Sequence, residues 1–343
     1  MKKPMKNSRL FCLALVVLCF SCSTDVDLYG DYAERPIIYG LLDAKADTNF
    51  VKITRAFSVQ GNAYETALNP DSSNYPGRLD VRLVELCDGD SVREIVLDSI
   101  TLHNKVEGTF YAPDQKLYYT AEPLQMNGSH RYAYRLKIVL PDRTLVTTTD
   151  MVGSSAFAGV GEGVTFSHEY YNIPRYYLFR PAVNATFYNV DMSFTFLEQR
   201  TPDADSVPRT MTWNIGTFTD YYFDLYSDGD YYSIPFYAKT FFQSLKDFLG
   251  ADTAVAGLQR FIGDYPVEVT VAAGGEGLRQ YIYNNDPSNG FAAGDNEFSL
   301  IDGGYGVFSS RTTFTKKLRL AGETVPELVE NPYWGFKFIG GNN

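Results

Sequence analysis

The chain of 343 residues carries 41 acidic against 30 basic side chains, a net charge of −11, and so repels nucleic acid and anionic lipid heads. Only Cys22 and Cys87 of its four cysteines lie beyond the first 21 residues, which excludes a disulfide framework. The 26 Tyr and 24 Phe far outnumber the 6 Met and 2 Trp, a composition that suits pleated, half-buried surfaces and argues for a mainly β protein built for export.

Lys2, Lys3, Lys6 and Arg9 precede an apolar run from Leu10 to Phe20, and Ser21 and Cys22 follow it. This order predicts a secretory signal peptide over residues 1–21, with an apolar run too short to cross a bilayer. Cys22 resembles the acylated cysteine of the bacterial lipoprotein lipobox, in the looser form seen in Bacteroidetes. The resemblance implies cleavage before Cys22 and a lipid anchor on its thiol. Losing residues 1–21 removes four cations and no anions, which leaves 26 basic against 41 acidic residues and a net charge near −15. Residues 22–33 are polar and lack a core pattern, as expected of a tether.

From Pro36 the pattern turns to strands. Ile37 to Leu42 and Phe50 to Phe57 alternate in the manner of half-buried strands. The stretch from Ser58 to Arg78, rich in Gly, Asn, Pro and Ser, is expected to be a long loop without structure of its own. Leu79 to Leu86 and Ser91 to Leu97 flank the turn Asp88-Gly89-Asp90, and His130 to Leu140 and Thr144 to Thr149 flank Pro141-Asp142-Arg143. Both read as hairpins, and together the strands predict an immunoglobulin-like β-sandwich over residues 34–150. Residues 151–163 are Gly-, Ser- and Ala-rich without a sustained period, so an interdomain linker is expected there.

Residues 164–343 read as a second β-rich domain with one or two short helices. Phe187 to Leu197, Thr210 to Thr217 and Val267 to Val271 are its strands. Thr240 to Leu249 has Phe241, Leu245, Phe248 and Leu249 at helical spacing with Gly250 as a stop, and Gly277 to Tyr283 reads as a second helix. Phe298 to Ile301, the turn Asp302-Gly303-Gly304 and Gly306 to Phe314 predict a closing hairpin.

Three segments, Ile38-Tyr39-Gly40-Leu41-Leu42, Val51-Lys52-Ile53-Thr54-Arg55 and Ile301-Asp302-Gly303-Gly304-Tyr305-Gly306-Val307-Phe308, resemble in this order an uncharacterised family of Bacteroidetes outer-membrane lipoproteins. The likeness spans most of the chain beyond the signal segment. It implies a protein lipid-anchored to the outer membrane, periplasmic or surface-facing, of a kind often encoded beside TonB-dependent receptors. It supplies no catalytic residues.

The residues themselves offer little chemistry. His103, His130 and His168 have no second His or Cys at metal-ligand spacing, so no metal site is expected. No nucleophile elbow, phosphate loop or dinucleotide fingerprint occurs, so neither cofactor nor enzymatic activity is expected. Nothing selects a pair of carboxylates for glycoside hydrolysis. The least ordinary stretch is Phe218 to Phe242, where the doublets Tyr221-Tyr222 and Tyr231-Tyr232 place an aromatic on each face of a strand. Exposed members of these doublets are candidate contacts for a carbohydrate or peptide ligand; the alternative is that the second sheet and the helix cover both faces. The sequence thus points to a binding or accessory lipoprotein that assists a TonB-dependent receptor in nutrient capture. A structural or adhesive surface lipoprotein is the alternative, and a surface hydrolase a more distant one.

Overall fold

The computed structural model describes residues 35–339 except 58–61, 159–160, 220–221, 223–226, 229, 251–255, 286–299 and 331–334. The expected signal peptide over 1–21, the acylation site Cys22, the tether over 22–33 and the candidate Tyr221 lie outside the described residues. Among the described residues the chain is mainly β, and no helix is long and apolar enough to cross a membrane.

The first half forms strands β1 (Pro36–Leu42), β2 (Asn49–Arg55), β3 (Asp80–Cys87), β4 (Asp90–Val96), β5 (Asp98–Leu102), β6 (Gln115–Thr120), β7 (Tyr132–Val139) and β8 (Thr144–Asp150). They pair in the orders β1-β2-β6-β5 and β4-β3-β7-β8. This is the A-B-E-D and C′-C-F-G arrangement of an immunoglobulin-like sandwich. Alternation drives it: Ile38 and Leu42, Val51 and Ile53, Val81 and Leu83, and Leu136 and Ile138 all point into one core. Tyr134 near the start of β7 is buried, and its hydroxyl accepts from the Gln125 backbone N–H at 2.8 Å and donates to the Glu85 carboxylate at 2.7 Å. That is the tyrosine corner of such sandwiches, and it serves where no disulfide ties the sheets.

The stretch 58–78 is not a structureless loop throughout. It holds two short helices, α1 (Ala63–Ala67) and α2 (Pro70–Ser73). Asn62 and Asn69 cap them by accepting from the N–H groups of Tyr64 and Asp71, both at 3.0 Å, and Pro70 pre-sets the first turn of α2.

The second half adds β9 (Ala156–Phe157), β10 (Gly163–Val164), β11 (Arg175–Arg180), β12 (Phe187–Gln199), β13 (Val207–Thr219), β14 (Ser227–Asp228), β15 (Tyr231–Phe236), α3 (Ala238–Leu249), β16 (Gln259–Gly274), α4 (Glu276–Asn285), β17 (Tyr305–Leu320), α5 (Thr324–Glu330) and β18 (Phe338–Ile339). A small sheet, β14-β15-β11-β9, and α3 share one core with β13-β12-β16-β17. Aromatic contacts dominate that core: Phe166 stacks on Phe241 of α3 at 4.0 Å, and Phe194 meets the same ring edge-on at 5.4 Å. Arg260, fully buried, pairs with buried Glu198 and donates to the Phe336 carbonyl at 2.6 Å, which ties the carboxy-terminal segment to β16.

Strand pairing crosses the boundary expected at 151–163. β1 lies parallel to β17, from Ile37 opposite Tyr305 to Leu42 opposite Ser310, so a single sheet runs β13-β12-β16-β17-β1-β2-β6-β5. Ile301 and Phe308 are buried in the first core, whereas Phe314 and Leu318 belong to the second. Residues 298–299 of the closing hairpin expected over 298–314 lie outside the described residues, and Gly306 to Phe314 falls instead within β17, which pairs with β16, β1 and, at its end, β10. Nor is the start of the 151–163 stretch an exposed linker. Met151 is buried in the first core and Val152 in the second. Their N–H groups donate to the Tyr132 carbonyl at 2.9 Å and the Ser310 hydroxyl at 3.0 Å. Polar backbone that crosses between two cores must be paired, and here it is.

Candidate functional site

A cleft of about 460 Å³ opens on the face of the first sandwich that points away from its core. The pleat that sends Ile38, Val51 and Ile53 inward sends Ile37 and Tyr39 of β1 and Lys52 and Thr54 of β2 outward to form its floor. The far ends of α2 and β2 supply Asn74 and Arg55, and the β5–β6 connection supplies Lys105, Phe110, Tyr111 and Asp114. The parts are tied together. Tyr111 N–H donates to the Ala67 carbonyl of α1 at 2.9 Å, and the Arg55 guanidinium donates to the Asp71 carbonyl at 2.8 Å.

Three cations thus line one cleft of a chain whose net charge is −11. Lys52 Nζ donates to Gln115 Oε1 at 3.2 Å, while Lys105 Nζ donates to the Tyr111 carbonyl. Burial, and then repulsion from Lys105, holds the Lys52 ammonium below its ordinary pKa. Among the described lining residues Asp114 is the only carboxylate, and it is engaged: His103 Nδ1 lies 2.5 Å from one oxygen and the Tyr111 hydroxyl donates to the other at 3.3 Å. The His103 hydrogen bond keeps Asp114 ionised below the usual carboxylate range, and Asp114 in turn pushes the Tyr111 phenol up. Tyr39, 43 % exposed, meets Tyr281 of α4 edge-on with ring centroids 6.1 Å apart. Burial, and then the Tyr39 hydroxyl, pushes Tyr281 up to about 12, so the Tyr281 phenol stays neutral at physiological pH and donates to the Tyr39 hydroxyl at 3.3 Å. The cleft offers ammonium and guanidinium groups beside flat aromatic surfaces, which suits an anionic ligand with apolar faces.

The described members of the aromatic doublets lie elsewhere. Tyr222 packs partly buried against the second core, its ring 4.9 Å from Phe218, and borders a smaller cleft of about 330 Å³ with no charged group among its described lining residues. Tyr232 meets Phe179 and Tyr188 edge-on, each at 5.7 Å. Tyr231 faces the other side of β15, with the Arg180 guanidinium 5.8 Å over its ring. Tyr232 is thus engaged by core rings, and Tyr222 packs against the core while bordering the smaller cleft. The readable signal for the larger cleft was the outward half of the alternation in β1 and β2, Tyr39, Lys52 and Thr54.

The expectation of no metal-ligating cluster also needs correction. On the opposite sheet of the first sandwich the structure gathers Cys87, Asp88 and His130, with one candidate ligand atom from each within 4.8 Å of the others. Sequence spacing missed it because β3 and β7 are paired partners 45 residues apart, Cys87 standing opposite Tyr132. No protein-family model matches the chain, and no curated protein gives a significant match.

Proposed function

We propose that the protein is a ligand-capturing lipoprotein of the outer membrane, tethered through Cys22, whose cleft binds an acidic carbohydrate and presents it to a TonB-dependent receptor. It makes and breaks no bond. The observation that carries this reading is the convergence of Lys52, Arg55 and Lys105 on one cleft with Tyr39, Phe110 and Tyr111. Cations pair with the sugar carboxylates, and the rings stack on the sugar faces. A lysine depressed by burial, and then by a neighbouring lysine, favours an anion that relieves both. Glycoside hydrolysis calls for two carboxyl groups flanking the bond, and the described lining offers Asp114 alone.

The test is calorimetric titration of the chain with oligogalacturonate, a neutral malto-oligosaccharide and polyglutamate. Oligogalacturonate is expected to bind, at least about tenfold more weakly in Lys52→Met and more weakly again in added salt. Equal binding of the neutral sugar, tighter binding of polyglutamate, or indifference to Lys52→Met would each overturn the assignment. The anchor is tested separately: Cys22→Ala is expected to release the protein from membranes, since stable attachment rests on acyl chains, and continued sedimentation with membranes after a carbonate wash would refute it.

A further inference from the structure

We propose that Cys87, Asp88 and His130 form an open three-donor site for one zinc-class divalent cation. The site is built by strand register. Cys87 ends β3, Asp88 opens the β3–β4 turn, and His130 stands just ahead of β7, whose Tyr132 is registered opposite Cys87. Asp88 is locked from both sides: its N–H donates to the Arg131 carbonyl at 2.8 Å, and its Oδ1 accepts from the Arg131 N–H at 3.0 Å. With Oδ1 engaged, Oδ2 is left facing the other two donors, 2.8 Å from His130 Nδ1 and 3.9 Å from Cys87 Sγ. Ligand atoms around a tetrahedral zinc stand roughly 3.3 to 3.6 Å apart, given metal–ligand distances of about 2.0 to 2.3 Å. With all three ligand atoms within 4.8 Å of one another, side-chain adjustments of about 1.5 Å or less therefore suffice.

The donor set names the metal class. One thiolate, one imidazole and one carboxylate suit zinc, cobalt or nickel, whereas calcium and magnesium take oxygen donors alone. Binding is balanced in charge and protons. The Cys87 thiol releases its proton to solvent, and the His130 Nδ1 proton moves to Nε2. Two anionic donors then neutralise the dication. His130 and Asp88 side chains are 61 % and 54 % exposed, so a fourth position stays open to water or to a donor from another molecule. The Arg131 N–H holds Asp88 from behind, the role that outer hydrogen bonds play in metal centres.

Cobalt(II) is the probe, because thiolate ligation gives a near-ultraviolet charge-transfer band and tetrahedral geometry an intense visible band. One equivalent added to the full-length chain is expected to raise both, and one equivalent of zinc to remove them. The difference between the parent and Cys87→Ser isolates this thiol from the other cysteines. His130→Ala and Asp88→Asn are each expected to weaken cobalt binding about tenfold or more, and Asp88→Asn retains an oxygen that can accept from Arg131. Asp88 and His130 lie in exposed connections and Cys87 is half-buried at the end of β3, and unchanged circular dichroism without metal verifies folding. A band that survives Cys87→Ser, or is indifferent to His130→Ala and Asp88→Asn, or fails to appear, overturns the site.

Discussion

Gly306 shows how much one missing side chain decides. Its φ is +102°, and a Cβ placed there would stand 2.1 Å from the Ile38 carbonyl oxygen, a backbone atom of the strand that β17 joins in parallel. Gly303 also has a positive φ, +73°, but a Cβ there meets nothing within 4 Å. Gly303→Ala is therefore expected to cost about 1 to 2 kcal/mol of conformational strain. Gly306→Ala should exceed about 3 kcal/mol, because the collision adds to the strain. Denaturant midpoints of the two variants decide this; equal losses would mean that β17 and β1 do not meet as described. Lys52 makes the opposite case. Its folded-state pKa is depressed, so the charged form is disfavoured by folding. Below the lowered pKa both states are protonated and the penalty is fully present; it fades as pH rises through the window between the lowered pKa and the ordinary lysine value. Lys52→Met is accordingly expected to raise the thermal midpoint at neutral pH while weakening anion binding, the mark of a residue kept for function. A lowered midpoint would show that the ammonium holds the fold.

The strand β15 tests the reading of adjacent aromatics. Successive side chains point to opposite faces, and here Tyr232 meets Phe179 and Tyr188 whereas Tyr231 sits beneath Arg180 on the other side. Tyr232→Ala is expected to cost about 3 kcal/mol, the lower end for a ring on a core, and Tyr231→Ala about 0.5 kcal/mol or less. Equal losses in chemical denaturation would mean that both faces of β15 are covered. Elements with a strong period were legible: α3 from its Phe241, Leu245 and Leu249 spacing, and β12 from a buried alternation through Tyr188, Val190, Met192, Phe194 and Phe196. The helices α1 and α2 were not. Segments of five and four residues fall far below the length at which a helix holds by itself. Contacts distant in sequence hold them in place, among them Tyr111 on α1 and Arg55 on α2. The candidate site inherits that limit. Its floor follows from the pleat of β1 and β2, but its walls come from α2 and the β5–β6 connection, whose positions depend on one another rather than on any local pattern.

The two halves of the molecule have separate cores and one shared sheet, and the chain's route between them is fixed by partners far away in sequence. Residues 37–42 meet residues 305–310, and no local feature of either segment names the other; the Gly306 collision geometry becomes meaningful only once they touch. The sequence boundary near 151 does mark a real event, the passage from one core to the other between Met151 and Val152. What composition alone suggested there was exposure, because Gly, Ser and Ala also serve where backbones come close. Gly153 is such a place, since a Cβ on it would lie 2.8 Å from the Asn127 carbonyl. The Met151 carbonyl in turn accepts from the side chains of Asn127 and Asn184. Proteases need mobile backbone that can leave its hydrogen bonds, and this crossing is buried at residues 151–153 and paired beyond them through β9 on β11. Limited digestion is therefore expected to spare residues 151–157. A fragment of residues 35–150 should fail to fold alone, since it lacks β17 beside β1 and the Ile301 and Phe308 side chains that fill its core. Supplying residues 300–320 as a separate peptide restores those groups only at the entropic cost of association, so rescue is expected to be partial and concentration-dependent. Circular dichroism of the fragment with and without the peptide reads the outcome. A fragment that melts cooperatively by itself, or an early accumulating cut within 151–157, would show the amino-terminal sandwich to be independent of the strand it borrows.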